Sequence, residues 1–357
     1  TVSLFAGGWV LRALQGTPAS LGAGPAEIMP VARHSPNFRD GKFVNLEPPS
    51  ETTGELQRAL IRDLANAGGH GKPPRPIPLA EPPTAEIAPA AAAATWFGHS
   101  SVLIEVDGYR VLADPIWSER CSPSRAVGPQ RMHEVPVPLE ALPAVDAVVI
   151  SHDHYDHLDI DTVIALARTQ RAPFVVPLGI GAHLRQWGVP ESRIVELDWN
   201  ETHRIADLTL VCTPARHFSG RLFTRDTTLW ASWVIAGPTN KAFFGGDTGY
   251  TKSFAEIGAE FGPFDLTLLP IGAYHPAFSD IHMNPEEAVR AHLDLAEADR
   301  SLMVPIHWAT FRLAPHRWGE PADRLLGASQ AEHVRIAVPI PGGRVDPESE
   351  FDPWWQM

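Results

Sequence analysis

Cysteine is scarce in this sequence, with Cys121 and Cys212 the only two in 357 residues. Two thiols exclude a disulfide framework and leave the redox compartment undetermined. Cys212 falls inside the strand-like run 208–213 and reads as a small core residue. Long hydrophobic runs are also missing, since no stretch reaches the ~18 apolar residues of a membrane span. Basic charge is short: 29 Lys and Arg against 42 Asp and Glu leave a net charge of −13, with no basic run. That balance argues against a nucleic-acid partner. No repeat recurs at a fixed period. What is present is an ordinary apolar fraction, 44%, on a length that suits one large domain or two small ones.

Residues 1–94 read as an extended arm, rich in Pro, Gly and Ala and poor in strand pattern. Its first stretch, 2–11, is apolar and ends at Arg12. Residues 1–14 are therefore either the remnant of a trimmed signal or anchor, or a helix that packs on the body or lies on a lipid surface. The expected location stays equally open: soluble, peripherally membrane-associated or exported. Leu56, Leu60 and Leu64 at i, i+4, i+8 predict an amphipathic helix over 53–64, and the prolines of 72–78 impose extended chain. Such an arm is expected to wrap a core.

From Thr95 to residue 338 the pattern changes to strands and tight turns, marking the main domain. Ser101 to Val106 and Tyr109 to Ala113 flank Asp107-Gly108 as a hairpin. Val148, Val149 and Ile150, then Phe174 to Val176, read as buried strands. Further strands are expected at 193–197, 208–213, 229–236, 241–244, 266–271 and 301–306. Helices are expected at 161–168, 180–187, from Asn284 to about Ala298, and at 321–331, the third opened by Asn-Pro-Glu-Glu as cap and first turn. Two strand groups with helices between them predict an α/β (α+β) sandwich of two packed sheets with helices outside. The tail, 339–357, is Pro/Gly/acid-rich, and Pro353-Trp354-Trp355 is expected to dock.

The chemistry concentrates in His152-Asp153-His154-Tyr155-Asp156-His157, directly after a buried strand. Imidazole and carboxylate are ligands for zinc and similar metals, and a lone surface histidine does not explain so dense a run. His152 and His154 are two apart and project to one side of an extended loop. Asp114, His217, Asp247 and His307 share the same placement just past an apolar strand. Strand ends on one rim converge, so these residues can meet in one pocket. The glycines of Phe243-Phe244-Gly245-Gly246-Asp247 are expected to let the backbone crowd a bound ion.

The run 151–159 resembles the H-x-H-x-D-H signature of the metallo-β-lactamase fold. More narrowly, Trp96-Phe97-Gly98-His99, Asp114-Pro115-Ile116-Trp117, Gly245-Gly246-Asp247-Thr248-Gly249-Tyr250, Pro270 to Tyr274, His282-Met283-Asn284-Pro285 and Ile306-His307-Trp308 resemble N-acylphosphatidylethanolamine phospholipase D and its bacterial relatives. The resemblance spans about residues 30–330 and implies an αβ/βα four-layer sandwich, two mixed sheets flanked by helices, with two Zn2+ ions at one rim. Other divalent transition metals suit the same ligands. It implies His152, His154 and His217 on the first metal, Asp156, His157 and His307 on the second, and Asp247 bridging both. Asp114 would orient a ligand histidine. His282 would contact phosphate or leaving oxygen, or be a surface residue at a helix start; His99, Tyr155 and Tyr274 would line the pocket or belong to the core. The catalytic set is then Asp156, Asp247 and His282. The implied reaction is hydrolysis of an N-acyl phosphatidylethanolamine-like lipid to N-acylethanolamine and phosphatidic acid by a hydroxide held between the metals, with peripheral membrane contact through the arm. Acyl, lactone or β-lactam hydrolysis at the same site, and a non-catalytic metal-binding role, are the alternatives. Oligomeric state and native substrate are not legible.

Overall fold

The computed structural model describes residues 14, 16–51, 53–81, 90–298, 300–349 and 351–356. The apolar stretch 2–11, read as anchor or packing helix, lies outside the described residues. The arm contains α1 (Thr17–Ser20), α2 (Pro25–Ala32), the small hairpin β1 (Phe38–Arg39) and β2 (Lys42–Phe43), and α3 (Gly54–Asn66). The first half of the body carries β3 (Ala92–Gly98), β4 (Ser101–Val106), β5 (Tyr109–Ala113), β6 (Ala147–Val149), α4 (Ile160–Thr169), β7 (Phe174–Pro177), α5 (Ile180–Gln186) and β8 (Ile194–Leu197). The second half carries β9 (Thr202–Ile205), β10 (Leu208–Thr213), β11 (Ser232–Ala236), β12 (Lys241–Phe244), α6 (Ser253–Phe261), β13 (Leu266–Pro270), α7 (Pro285–Leu295), β14 (Leu302–Ile306) and α8 (Glu320–Ala331), followed by β15 (Arg344–Val345).

One sheet runs β15-β3-β4-β5-β6-β7-β8 and the other β14-β13-β12-β11-β10-β9. Both are mixed: β5 to β8 are parallel, as are β12 to β14, and the remaining pairs are antiparallel. The two-residue turn Asp107-Gly108 takes φ of 47° and 91°, the positive values that let β4 and β5 fold back with the right twist. Trp96, Ile104, Val149, Trp233, Phe244 and Leu268 fill the space between the sheets. Leu112, Val148 and Phe174 face outward under Val163 and Leu166 of α4 and Leu184 of α5. On the far side, Phe254 of α6 and Val289 of α7 cover the second sheet. These are the four layers that the sequence predicts, and they explain why the strands read as continuous apolar runs: both faces are buried.

The differences lie where local pattern is weak. β3 begins at Ala92 rather than Thr95, because alanines carry little strand signal. The edge strand β9 escapes the sequence reading, since half of its positions are solvent-exposed. Residues 229–231 are buried extended chain before β11, and α7 stops at Leu295 rather than Ala298. The Pro/Gly-rich tail supplies an edge strand, β15, whose Arg344 Nε lies 2.6 Å from the buried Glu105. As expected, Trp354 and Trp355 dock; both rings pack on Trp308, at 5.5 and 5.8 Å between centroids. The leucine stripe of α3 is less covered than its spacing suggests, with Leu56 and Leu60 half-buried and Leu64 exposed. No helix among the described residues is long and apolar enough to cross a membrane.

Candidate metal centre

The residues singled out after strand ends converge at one rim, where β5, β6, β10, β12 and β14 terminate. Asp247, three residues past β12, is the hub. Its Oδ2 lies 3.0 Å from His307 Nε2, 3.1 Å from His157 Nε2, 3.8 Å from His217 Nε2, and 3.9 Å from both His152 Nε2 and His282 Nδ1. On one side of it His152 Nε2 is 2.8 Å from His154 Nδ1, which is 3.3 Å from His217 Nε2. On the other, Asp156 Oδ2 lies 2.9 Å from His99 Nε2, 3.3 Å from His307 Nε2 and 3.5 Å from His157 Nε2. All these side chains are buried or nearly so.

Second partners fix the ring orientations. Asp114 accepts from His157 Nδ1 at 2.6 Å, from Ser151 N at 2.7 Å and from Ser151 Oγ at 2.6 Å. With Nδ1 thus protonated, the His157 Nε2 lone pair faces the hub. His217 Nδ1 donates to the Ile281 carbonyl at 2.8 Å, which likewise bares its Nε2. Several non-glycine residues here hold positive φ, namely His99 (53°), Asp114 (40°), Ala273 (57°) and His307 (61°). Such strain persists only where surrounding packing imposes it.

The donor set fits a metal. His154 and His217 turn nitrogens toward one another where a single proton cannot satisfy three converging imidazoles, and a cation can. Asp247 Oδ1, His282 Nδ1 and His307 Nδ1 are buried without a hydrogen-bond partner. Four groups in this cluster place their ligand atoms within 4.8 Å of one another: His152, His154 and His217; His99, Asp156, His157 and His307; His152, His157 and Asp247; and Asp247, His282 and His307. Electrostatics agrees. Burial, then neighbouring imidazoles, pushes His152 well below the usual histidine range and keeps it a neutral ligand. Burial also lowers His217 strongly, against the pull of Asp247. Burial alone would raise Asp247 and Asp156, but the charge on His157 overrides it, and both carboxyls are held well below their usual range. Burial opposes protonation of His307, yet Asp247 and Asp156 raise it to about 9. The carboxylates demand positive charge, and without a metal only protons on His157 and His307 can supply it.

Some residues sit elsewhere than the sequence suggests. Tyr155 packs its ring under Arg221, at 4.1 Å, rather than against the histidines. Tyr274 donates to Glu320 Oε1 at 2.7 Å and stacks on His316, lining a neighbouring cavity of about 420 Å³ shared with Leu56 and Ala59 of α3. His282 is drawn in, stacking on His307 at 5.0 Å. The glycine before Asp247 is needed for a neighbour other than an ion: a Cβ at Gly246 (φ 58°) would meet the Ser151 Cβ at 2.5 Å. Arg221 and Asn45, which no motif marks, hold the ligand loops from behind.

A family model described as the beta-lactamase superfamily domain matches residues 109–308, the stretch that carries every candidate ligand. The chain belongs to the beta-lactamase superfamily. It is a metal-dependent hydrolase of that superfamily. Among its members, an uncharacterized protein of Mycobacterium tuberculosis is 62% identical over 361 residues, covering all of this chain and 97% of its own. The N-acyl-phosphatidylethanolamine-hydrolyzing phospholipase D 1 of Caenorhabditis elegans is 37% identical over 245 residues, 65% of this chain and 68% of that one. The solved Igni18 metallo hydrolase of Ignicoccus hospitalis superposes with a TM-score of 0.55 at 26% identity, covering 73% of this chain and 99% of its own.

Proposed function

We propose that this superfamily member is a phosphodiesterase of phospholipase D type that uses two zinc ions. Its substrate is an N-acyl phosphatidylethanolamine-like lipid, and its products are N-acylethanolamine and phosphatidic acid. The observation that carries the dinuclear reading is Asp247, a single carboxylate oxygen facing five histidines drawn from both sides of the cluster. His152, His154 and His217 would hold one ion, Asp156, His157 and His307 the other, with Asp247 shared. Bound there, such a pair supplies a nucleophile at neutral pH and neutralises charge developing on a phosphoryl group.

The protein's own part is to orient and to exclude. Asp114 holds His157 so that Nε2 faces inward, and the Ile281 carbonyl does the same for His217. His282, neutral because burial lowers it to about 3, stands beside Asp247, where it can hydrogen-bond a phosphate oxygen or the departing alkoxide. The lipid assignment draws on the phospholipase D relative and on the surface beside the site. Leu222 and Phe223, the latter 83% exposed, project from the loop that follows His217, and Val44 and Leu46 of the arm are exposed as well. Arg39, Lys42 and Arg225 are exposed on the same two segments, beside the exposed Asp40 and the half-buried Asp226. Exposed apolar side chains flanked by cations suit peripheral contact with a lipid surface.

The test is turnover of N-acyl phosphatidylethanolamine in detergent micelles by zinc-replete protein, with mass-spectrometric detection of phosphatidic acid. The His154→Ala variant serves as control. Hydrolysis of nitrocefin or other acyl substrates, without turnover of bis-p-nitrophenyl phosphate or the lipid, would overturn the phosphodiesterase reading.

A further inference from the structure

Asn45 lies in the extended chain after β2, outside every motif, yet it grips a ligand-bearing loop at two points. Its Nδ2 donates to the His217 carbonyl at 2.8 Å, and the His217 amide donates to its Oδ1 at 3.1 Å. Trp230 Nε1 donates to the same oxygen at 3.1 Å. His217 sits in irregular chain between β10 and β11, so no strand ladder serves its peptide. The carboxamide supplies both the missing acceptor and the missing donor, as an adjacent strand would.

The surrounding strap repeats the device at the other loops. Glu47 Oε1 accepts from Thr251 Oγ1 at 2.5 Å and from Lys252 N at 3.0 Å, just past Asp247 in sequence. Ser50 donates to Asp280 through both N and Oγ, at 2.6 Å each, two residues before His282. Alternating with the inward-turned Asn45 and Glu47, Val44 and Leu46 face solvent, as expected of extended chain. One arm segment is thus laced to the loops of three candidate site residues, and only Asn45 takes hold of a ligand's own peptide.

We propose that Asn45 is a positioning residue of the metal centre. Its carboxamide sets the main chain of His217, the Ile281 carbonyl sets the ring, and together they aim Nε2 at His152 and His154. This rests on the metal-centre reading above. Asparagine suits the task where aspartate does not, because a carboxylate cannot donate to the His217 carbonyl and would repel it.

The test strips the full chain with a chelator, then titrates Zn2+ and Co2+ against a chromophoric competitor and records the visible Co2+ spectrum. Asn45→Leu, of similar size without polar atoms, should weaken binding of one ion by about 10–100-fold and alter the spectrum. Asn45→Asp, which keeps only the accepting half, should fall between it and wild type. Ser50→Ala, which removes bonds of the same strap but none to the His217 peptide, should change affinity and spectrum far less than Asn45→Leu. Wild-type affinity and spectrum in Asn45→Leu would overturn the proposal, even with a lower melting temperature of the metal-free chain, since that pattern marks structural glue alone. If Asn45→Leu does not fold, Asn45→Asp decides by the same readouts. A wild-type chain that takes up neither ion removes the metal centre itself, and the clamp with it.

Discussion

In the sandwich, Trp96, Trp233, Phe244 and Leu268 are buried between two sheets, and non-directional apolar burial does most of the holding. In the arm, α3 buries no residue fully, and beside the few buried apolar side chains, Ala23, Ile28, Ala32, Phe43, Ala67 and Ile77, much of the fastening is polar. Arg221 donates twice to the Ser20 carbonyl, Ala23 N donates to His183 Nδ1, and Asn45, Glu47 and Ser50 tie down the strap. Hydrogen bonds are directional, so they fix where a loop sits as well as that it is covered. The sandwich brings the candidate ligands to one rim, and the arm ties down the loops that carry them.

That division of labour breaks first if Asp247 is dispensable. Asp247→Asn leaves every apolar contact of the sandwich intact but removes the charge that five histidines face. Its activity should fall by at least about 10³-fold, roughly 4 kcal/mol of barrier, and at least one metal equivalent should be lost. A variant retaining both metals and activity within tenfold of wild type would sink the hub assignment.

Arg221 tests the arm's polar fastening. Fully buried, it donates to the carbonyls of Ser20, Asp153 (2.6 Å) and Leu158 (3.0 Å), joining the arm to the loop of His152, His154 and His157. Arg221→Met keeps much of the stem's bulk yet leaves these carbonyls without a donor, at a cost of at least about 3 kcal/mol in urea unfolding. Limited proteolysis should then cut the segment around Ser20 before any strand of the sandwich. Unchanged protease resistance there would mean that apolar contacts suffice.

The pH dependence of metal uptake sharpens the same comparison, because it reads the site and not the core. In the metal-free chain His307 is raised to about 9 by Asp247 and Asp156, against its own burial. Its proton therefore favours the metal-free fold fully below pH ~6.5, and that contribution is lost as pH rises through about 9. A metal must displace the proton, so apparent affinity should climb over this window, with protons released on binding at pH 7. Calorimetry in buffers of different ionisation enthalpy measures the release. Binding without proton release would show that His307 is not a ligand.

How much of this could be read in advance follows the same line. Buried strands announce themselves as β-branched and aromatic runs, and the bounds of β10 and β12 are those read directly from the sequence. The start of α7 is written in Asn284-Pro285-Glu286-Glu287, where the reciprocal capping bonds form at 2.9 and 3.0 Å. The convergence of imidazoles and carboxylates was legible because six residues concentrate part of it and strand ends place Asp114, His217, Asp247 and His307; the contact of His99 with Asp156 was not. The arm's role was not. Asn45 is 172 residues from His217, and Arg221 is 201 from Ser20; a single side chain contacting a distant carbonyl leaves no periodicity to detect. Sequence neighbourhood also misdirects, as when Tyr155, flanked by two candidate ligands, packs on Arg221.

The smallest expected effect on the fold falls on the exposed rim. Leu222 and Phe223 make no contribution to either core, so the double change Leu222→Ser, Phe223→Ser should alter stability by no more than about 0.5 kcal/mol. Activity on bis-p-nitrophenyl phosphate should hold, because the metal ligands and their supporting bonds are untouched. Activity on N-acyl phosphatidylethanolamine in vesicles containing phosphatidylglycerol should drop about tenfold, along with vesicle co-sedimentation, as two apolar anchors are lost from the water–lipid boundary. Equal loss on soluble and vesicle substrates would instead mean that this loop shapes the site from within. The arm and loop would then act only as scaffold, and contact with lipid would have to be sought on another face.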